Sequence, residues 1–433
     1  MNNHQVEARP GPRTETSPLF TSSPYEPTLP AVTSLDQIDL TDPELYLHGD
    51  PHAAFRLLRQ QAPVFWNEGG ASGFGGQPFW AVTNYAGCVE IFGDPVTFTG
   101  AEGQVLDIDG HAFRDFITSQ VGEVHRKWRK AVSGFTGPAS IAHHAESVHD
   151  VIRATLPKYI SGTTLDVVGL SDALPPLMVS ALLELTPEET EKVQRMYQVA
   201  DVAEGGDGVE VAFLGETVDA LISARMSDPG NDIISGMIGK ATKGDLTASQ
   251  LTLYVFNVIM GAFVGTRSAI HNPIITLAHH PAQFARLRSE PELIEDGRAV
   301  EELLRWAAHA VHSARRVTRD GEVLGQPVRA GDLVAAFPAS ANRDEKAFED
   351  PYVFDVGRRG GSRIMSFSTG VHQCLGQYYI RSVTNGLIRE LVDNVTAIEE
   401  VVPTERVLMS NSVVATHFRE FAVEVDYRPA LVA

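Results

Sequence analysis

A single cysteine between two glycines, just before a predicted helix, constrains this chain more than any other feature. The stretch reads Phe367-Ser368-Thr369-Gly370-Val371-His372-Gln373-Cys374-Leu375-Gly376, and residues 377–392 have helical spacing. Backbone N–H groups and the positive end of the helix dipole would face the sulfur, so we expect a lowered thiol pKa. Gly370 and Gly376 would allow a tight turn and the close approach of a flat ligand.

Two interpretations of Cys374 follow from this placement. A lone cysteine at a helix start is usually a buried, inert packing residue. An axial thiolate for haem iron requires the same placement. For that role, Phe367 would cover the sulfur from water and His372 would reach a carboxylate on the ligand.

The loop resembles the haem-binding loop of the cytochrome P450 family, whose pattern is F-x-x-G-x-[HR]-x-C-x-G. Every fixed position of that pattern is filled between Phe367 and Gly376, which favours the thiolate interpretation. The resemblance implies haem b, iron protoporphyrin IX, as the cofactor. It also implies that Cys374 is the metal ligand and that Phe367, Gly370, His372 and Gly376 bind the cofactor around it.

Three positions outside the loop are candidate ligands for the haem propionates. His125 and Arg129 are four residues apart, so on a helix they share one face, and two donors on one face suit a carboxylate. Taken in isolation, they could equally form an ordinary solvated basic face. They match the family's H-x-x-x-R segment. In the segment 314–320 the resemblance implies that Arg315 contacts a propionate, with Arg316 as the fallback.

A structural ion-pair network is expected behind the cysteine loop. Glu302 and Arg305 are three residues apart and can pair on a helix. The pattern E-x-x-R is common, but here it lies 72 residues before Cys374 (374 − 302) with matching sequence between. The resemblance adds Arg358 as the third member of a triad. In total, the matching segments extend over roughly residues 35–425.

An apolar pattern over residues 247–277 predicts a long helix. Pro273 should kink or end this helix. The resemblance implies that the helix crosses the haem face opposite Cys374. It also implies that the catalytic positions begin at Gly261.

The family usually carries an acid followed by a threonine on this helix, and the two together manage proton delivery to bound oxygen. Counting back without gaps from His280-Pro281 places the acid position at Val264 and the alcohol position at Gly265. A shift of one residue would put Thr266 at the alcohol position, but the acid would still be missing. We therefore expect a catalytic helix without the acid–alcohol pair.

The predicted fold is mainly α with small β-sheets, the cytochrome P450 fold that the resemblance implies. Residues 52–92 show a helix, two short strands and a second helix in order. Residues 1–33 are rich in Pro, Thr, Ser and Glu, which predicts a flexible N-terminal arm. Residues 34–433 are predicted to form a single haem-thiolate catalytic domain.

The charge balance and cysteine count limit the partners and the compartment. With 35 basic and 55 acidic residues, the net charge is −20, which argues against binding nucleic acid or an anionic membrane. The most apolar stretch, residues 251–264, is too short to span a bilayer. Two cysteines in 433 residues indicate a reducing compartment, with Cys88 packing inside a helix. We expect a cytoplasmic protein.

One basic cluster, Arg126, Lys127 and Lys130, stands out on this acidic chain. An acidic electron donor would dock there, and the resemblance implies a ferredoxin-type donor with its reductase. A thiolate ligand favours O–O cleavage. The resemblance therefore implies a monooxygenase that oxidises a small, mostly apolar organic substrate with O2 in specialised metabolism.

The missing acid–alcohol pair leaves alternatives open. One is a P450-type enzyme that performs oxidative coupling or peroxide-driven chemistry in place of simple hydroxylation. Another is a non-catalytic haem-binding sensor, which would need Cys374 and a haem pocket but no electron donor. The basic cluster and the segments expected to enclose a substrate chamber argue against the sensor.

Overall fold

The computed structural model describes residues 30–69, 77–104, 106, 116–202, 208–307, 310–360, 363–400, 405–409, 415–420 and 422–428. Residues 1–29 of the predicted arm lie outside these ranges. The first element is a 3-10 turn at Leu35–Gln37. Across the described ranges the architecture is mainly α with four small β-sheets, as predicted.

Fifteen α-helices make up most of the described chain. They are α1 (Pro43–Leu47), α2 (Pro51–Gln61), α3 (Tyr85–Gly93), α4 (Gly122–Thr136), α5 (Pro138–Thr155), α6 (Val167–Leu182), α7 (Pro187–Val202), α8 (Gly208–Ser227), α9 (Ile233–Thr242), α10 (Ala248–His279), α11 (Pro281–Ser289), α12 (Glu292–Glu295), α13 (Arg298–Trp306), α14 (Pro338–Ala341) and α15 (Gln377–Asn394). Side-chain caps fix several starts; Asp50, for example, accepts from the Ala53 N–H ahead of α2.

Short strands form the four sheets. They are β1 (Val64–Asn67), β2 (Phe79–Val82), β3 (Phe98–Thr99), β4 (Ile160–Ser161), β5 (Thr164–Asp166), β6 (Ser313–Val317), β7 (Gly321–Val323), β8 (Gln326–Val328), β9 (Leu333–Ala336), β10 (Val395–Glu400), β11 (Glu405–Met409), β12 (Ala415–Glu420) and β13 (Ala422–Tyr427). The largest sheet has the order β1-β2-β9-β6-β3, and its β2–β9 pair is parallel. The others are β10-β13-β5-β4, β11-β12 and β7-β8. The predicted hairpin is confirmed, with Phe65 opposite Ala81.

Helix α10 lies at the centre of the molecule. It begins with a capping box in which the Thr247 hydroxyl accepts from the Gln250 N–H and the Gln250 side chain accepts from the Thr247 N–H. It packs against α6 and α15. Ile270, Ile274 and Leu277 in its second half are fully buried. This packing fixes the first half of the helix beside the cysteine loop.

The prediction that Pro273 could end this helix was wrong, because α10 continues to His279. A proline inside a helix removes one backbone hydrogen bond and costs about 3 kcal/mol. The residues that follow are deeply buried, and Ile274 and Ile275 are both 0% exposed. Burying each such side chain contributes about 1.5–3 kcal/mol. Tertiary packing therefore outweighs the local penalty.

Within the described chain, α10 is long and apolar enough to cross a membrane by length and composition alone. It has 32 residues, and its mean hydropathy reaches 1.4 over 18 residues. The prediction that residues 251–264 are too short to span a bilayer does not hold for the helix that contains them, because α10 extends to His279. Core helices have the same composition, and the packing of α10 against α6 and α15 makes it a core helix here.

Candidate active site

The cysteine loop folds back on itself just before α15. The Cys374 N–H donates to the Phe367 carbonyl at 2.9 Å, and the Gln373 N–H donates to the Gly370 carbonyl at 3.2 Å. A 3-10 turn at Gly370–His372 precedes these contacts. The loop therefore holds Cys374 close to the first turn of α15.

The two glycines of the loop serve different purposes. Gly370 has a φ of +73°, and a Cβ there would lie 2.3 Å from the Phe92 carbonyl oxygen, so only glycine fits. Gly376 has a φ of −80°, which other residues adopt easily. A Cβ at Gly376 would meet the Cys374 sulfur at 3.8 Å. The loop itself requires Gly370, whereas Gly376 keeps the space beside the sulfur open.

The electrostatics at Cys374 differ from the sequence prediction. Burial raises the pKa of the Cys374 thiol, although the N–H groups of Gly376 and Gln377 and the charges of Arg129 and Arg381 oppose this rise. Protein surrounds the sulfur, yet Cys374 remains accessible because it lies on the wall of a cavity. The expected lowering of the pKa was therefore wrong for the protein alone. A coordinated metal ion would deprotonate the thiol.

A cavity of about 440 Å³ extends from Cys374 into the helical part of the molecule. This volume is typical of cofactor and small-molecule sites, which measure roughly 300–1,000 Å³. One wall is the cysteine loop and another is a face of α10. A third wall is apolar and comes from α4, α5, α6 and α9. Its side chains are Val132, Phe135, Ile141, Leu182, Ile233 and Met237.

One arginine lines this cavity, and a second lies behind two of the lining residues, Phe92 and Ser313. Arg129 on α4 lines it and donates to the Gln373 carbonyl. Arg315 on β6 is 3% exposed, donates to the Ser313 hydroxyl at 2.8 Å and lies 5.2 Å over the Phe92 ring. Burial lowers the pKa of both, that of Arg315 to about 10. Neither forms an ion pair with a carboxylate in the described part of the chain.

Two histidines complete this group of donors. The rings of His125 and His372 lie 4.1 Å apart and both line the cavity. Burial lowers the pKa of both rings, helped by Arg129 at His125 and by the neighbouring cations at His372, whose pKa falls to about 3. Among the described residues, nothing pairs with the buried Nε2 of His372. Two arginines and two histidines without a counter-ion make a site for carboxylates.

The structure places the alternative site residues as follows. Arg316, the alternative to Arg315, forms an ion pair with Glu102 at 3.0 Å. On α10, Gly261 and Gly265 line the cavity. Thr266 does not line it; this residue is 0% exposed, and its hydroxyl lies beside that of Tyr379. Consecutive helical residues point about 100° apart, so Thr266 faces away from the cavity that Gly265 lines.

The glycine at the alcohol position has a close neighbour. A Cβ at Gly265 would lie 3.2 Å from Cδ1 of Ile380 on α15, whereas a Cβ at Gly261 would meet nothing within 4 Å. Ile380 also lines the cavity. The space that a side chain at position 265 would need is therefore partly filled by Ile380. The side chain of Val264 lies outside the described part of the structure.

The residues of the predicted triad are in contact. Arg305 donates two hydrogen bonds to the Glu302 carboxylate, at 2.7 and 2.8 Å, and Arg358 donates a third at 3.0 Å. The Asp355 N–H also donates to Glu302, at 3.0 Å. The side chains of Glu302 and Arg305 are 1% and 0% exposed. This network ties α13 to the segment that leads into the cysteine loop.

Two supporting residues were not predicted from the sequence. The Asn342 side chain accepts from the Met365 N–H at 2.6 Å and donates to the Ser366 hydroxyl at 2.8 Å, which anchors the start of the cysteine loop. The Arg381 guanidinium lies 4.5 Å from the centre of the Phe367 ring. Arg381 follows the cysteine by two helical turns, a spacing that could have indicated it. Asn342 gave no comparable signal.

Comparisons with known proteins decide the family. The family model described as cytochrome P450 matches residues 215–379. Linalool 8-monooxygenase from Pseudomonas putida is 30% identical over 378 residues, which cover 79% of this chain and 88% of that protein. The chain belongs to the cytochrome P450 family. The steroid C26-monooxygenase of Mycobacterium bovis is 26% identical over 402 residues, which cover 88% of this chain and 91% of that protein.

Solved structures of P450 enzymes share the fold. The crystal structure of P450 OxyD, involved in the biosynthesis of vancomycin-type antibiotics, is 26% identical with a TM-score of 0.78, and the match covers 90% of this chain and 100% of that chain. CYP109B1 from Bacillus subtilis is 26% identical with a TM-score of 0.71, and the match covers 86% of this chain and 99% of that chain. The predicted fold is confirmed, and the protein is an enzyme of the P450 monooxygenase family.

The family implies a haem cofactor, and the residues around the cavity fit one. The Cys374 sulfur lies on the cavity wall with open space beside Gly376. The donor group at the cavity edge has no carboxylate partner among the described residues, as a site for two propionates requires. The buried Nε2 of His372 would then gain a hydrogen-bond partner.

Proposed function

We propose that this P450 is a haem-thiolate monooxygenase that oxidises a small, mostly apolar organic substrate with O2 and electrons from a redox partner. The cavity carries the proposal, because Cys374 lies on one wall and six apolar side chains form another. A thiolate ligand favours O–O cleavage, and an apolar wall suits an apolar substrate. Two relatives are named for oxidising linalool and a steroid.

The cofactor in this proposal is haem b, with Cys374 as its axial ligand. His125, Arg129, Arg315 and His372 would hold its two propionates. Their support is that the other three gather around His372, which lines the cavity, without a carboxylate partner in the described chain. Charge-assisted hydrogen bonds from arginine to a carboxylate are among the strongest in proteins, so these four residues would fix the orientation of the haem.

The remaining loop residues would protect and position the ligand. Phe367 is 3% exposed, and its carbonyl accepts from the Cys374 N–H. Gly370 sets the turn, and Gly376 leaves room beside the sulfur. The triad centred on Glu302 would brace the core behind the loop. A rigid surround of this kind keeps water from the sulfur and fixes its direction.

Bound haem supplies the activation of O2 and the transfer of oxygen to the substrate. The chain's own residues bind, orient and exclude water. Gly261 and Gly265 present no side chain to the cavity, so they leave room for substrate beside the cofactor. The apolar wall would exclude water from the reacting carbon.

Proton supply is the unusual part of this proposal. Around the alcohol position, Gly261, Ala262 and Gly265 line the cavity and carry neither an acid nor a hydroxyl. Thr266 is turned away from the cavity. We infer that the protons for the reaction would come through ordered water or from a hydroxyl or carboxyl group of the substrate.

The electron donor is proposed to be a ferredoxin-type protein with its reductase. Arg126, Lys127 and Lys130 are exposed on α4, the helix that carries Arg129, and an acidic donor would bind there. We further propose that residues 34–433 form one catalytic domain working in the cytoplasm, in specialised metabolism. Both described cysteines are free of disulfide bonds, which suits a reducing compartment.

A second candidate function is oxidative coupling or peroxide-driven chemistry on the same haem. The glycine at position 265 favours it, because such reactions place different demands on proton delivery. Similarity to P450 OxyD, which is involved in the biosynthesis of vancomycin-type antibiotics, adds to it. The exposed basic cluster on α4 argues against a sensor without turnover, because a sensor needs no electron donor.

Parallel turnover assays separate these functions. The holoenzyme is incubated with a panel of neutral apolar compounds, either with O2, NADPH, ferredoxin and ferredoxin reductase or with hydrogen peroxide alone. Products that gain one oxygen atom in the reductant arm support the monooxygenase. Products found only with peroxide, or coupled products, support the second candidate. No product in either arm contradicts both. Cys374→Ser is the control and should give no product.

A further inference from the structure

A polar side chain faces the cavity on α10 well before the catalytic positions. Asn257 lines the cavity together with Tyr254, Val258 and Gly261. Spacings of three and four residues place these positions on one face of the helix. Asn257 is partly buried. No described residue hydrogen-bonds to its side-chain amide.

Residues 116–118 lie beside this part of α10. The Phe116 ring packs edge-on against Phe256 with 5.8 Å between centroids. Ile117 and Thr118 line the same cavity as Asn257. The apolar wall from α4, α5, α6 and α9 closes the chamber. An apolar molecule that filled this chamber would remove water from the Asn257 amide, which is costly unless the molecule itself carries a partner for the amide.

We propose that Asn257 recognises a neutral oxygen, a hydroxyl or a carbonyl, on an otherwise apolar substrate. This inference rests on the proposed function, because it treats the cavity as the substrate chamber. A side-chain amide offers two donor hydrogens and an acceptor oxygen, so it pairs with either group. A carboxylate on the substrate would find no lysine or arginine on α10 between residues 250 and 265.

The position of Asn257 also determines which end of the substrate is oxidised. Gly265, at the alcohol position, follows eight residues later (265 − 257) on the same side of α10. At 1.5 Å per residue the two positions are about 12 Å apart along the helix axis. A substrate held by its oxygen at Asn257 therefore places carbons several bonds away beside the cofactor. The substrate is an elongated neutral molecule that is oxidised far from its own oxygen.

Binding of four probes of equal chain length tests this recognition. The probes are 1-decanol, 2-decanone, decane and decanoate, titrated into holoenzyme and followed by the spin-state shift of the haem absorption band. We expect the alcohol and the ketone to bind about tenfold more tightly than decane, the ratio that one well-formed hydrogen bond supplies. In Asn257→Leu the affinities for the alcohol and the ketone should fall to the affinity for decane. In the wild-type enzyme we expect decanol to be oxidised in the distal half of its chain, and in Asn257→Leu the oxidation should spread along the chain.

Two variants make the result specific. Val258→Ala enlarges the same chamber without changing the amide, so it should shift the affinities for all four probes alike. Asn257→Asp keeps the shape of the side chain and replaces Asn257→Leu if that variant loses its carbon monoxide band. It should weaken binding of the ketone, which needs the lost N–H donor, more than binding of the alcohol, whose hydroxyl can donate to a carboxylate.

Three outcomes would overturn the inference. They are an unchanged preference for oxygenated probes in Asn257→Leu, tightest binding by decanoate, and no binding of any probe to wild-type enzyme. In each case an intact carbon monoxide band in wild-type enzyme leaves the haem-thiolate function standing. Absence of that band would be the failure of the proposed function itself.

Discussion

Replacing Gly265 with alanine tests whether Ile380 excludes a side chain at the alcohol position. Alanine is favoured over glycine in a helix interior by about 1 kcal/mol. At Gly265 the added Cβ would lie 3.2 Å from Ile380 Cδ1, and overpacking of this kind costs about 1–3 kcal/mol. We expect Gly265→Ala to leave the free energy of unfolding unchanged or to lower it by up to about 2 kcal/mol. In an Ile380→Val background, which lacks Cδ1, Gly265→Ala should raise the free energy of unfolding by about 1 kcal/mol.

The assay is a double-mutant cycle, with urea unfolding of each holoprotein followed by circular dichroism. The expected coupling energy between positions 265 and 380 is about 1–3 kcal/mol. Gly261→Ala is the matched control on the same helix. Nothing lies within 4 Å of its added Cβ, so it should stabilise both backgrounds equally. Effects at 265 and 380 that add to within about 0.5 kcal/mol would refute the reasoning.

Three further substitutions test the cofactor site and its support. Gly370→Ala should abolish haem incorporation, read from the ratio of haem to protein absorbance, because its Cβ would lie 2.3 Å from the Phe92 carbonyl oxygen; full haem content would contradict this. Glu302→Gln should lower the free energy of unfolding by about 3–5 kcal/mol, since it leaves Arg305 buried without its counter-ion; an unchanged urea midpoint counts against it. Arg315→Gln should speed haem transfer to apomyoglobin without destabilising the haem-free protein, because the described chain gives Arg315 no carboxylate partner; transfer at the wild-type rate would exclude a role in holding haem.

The cysteine loop and the triad show what local sequence can predict. The order of residues from Phe367 to Gly376 was enough to predict a turn that places Cys374 just before a helix, because the Cys374 N–H donates to the Phe367 carbonyl within the loop and α15 begins at Gln377. The three-residue spacing of Glu302 and Arg305 was enough to predict their contact. Both predictions depend on contacts between near neighbours in the chain.

Features that depend on tertiary packing were not predictable in this way. Burial of the Cys374 thiol outweighs the nearby N–H groups and raises its pKa. Burial beyond Pro273 lets α10 continue through a proline. Ile380 comes from another helix, so its closeness to Gly265 cannot be read from either segment alone. Asn257 faces the cavity only because of how α10 is rotated against its neighbours.

Haem ligation by the Cys374 thiolate is tested most directly by the absorption spectrum of the reduced protein with carbon monoxide. We predict a red-shifted thiolate–carbonyl band in the wild-type protein. The band should persist in Cys88→Ala, whose cysteine is fully buried away from the cavity, and should be lost in Cys374→Ser. A band that survives in Cys374→Ser, or a wild-type protein that binds haem without showing it, would contradict this assignment.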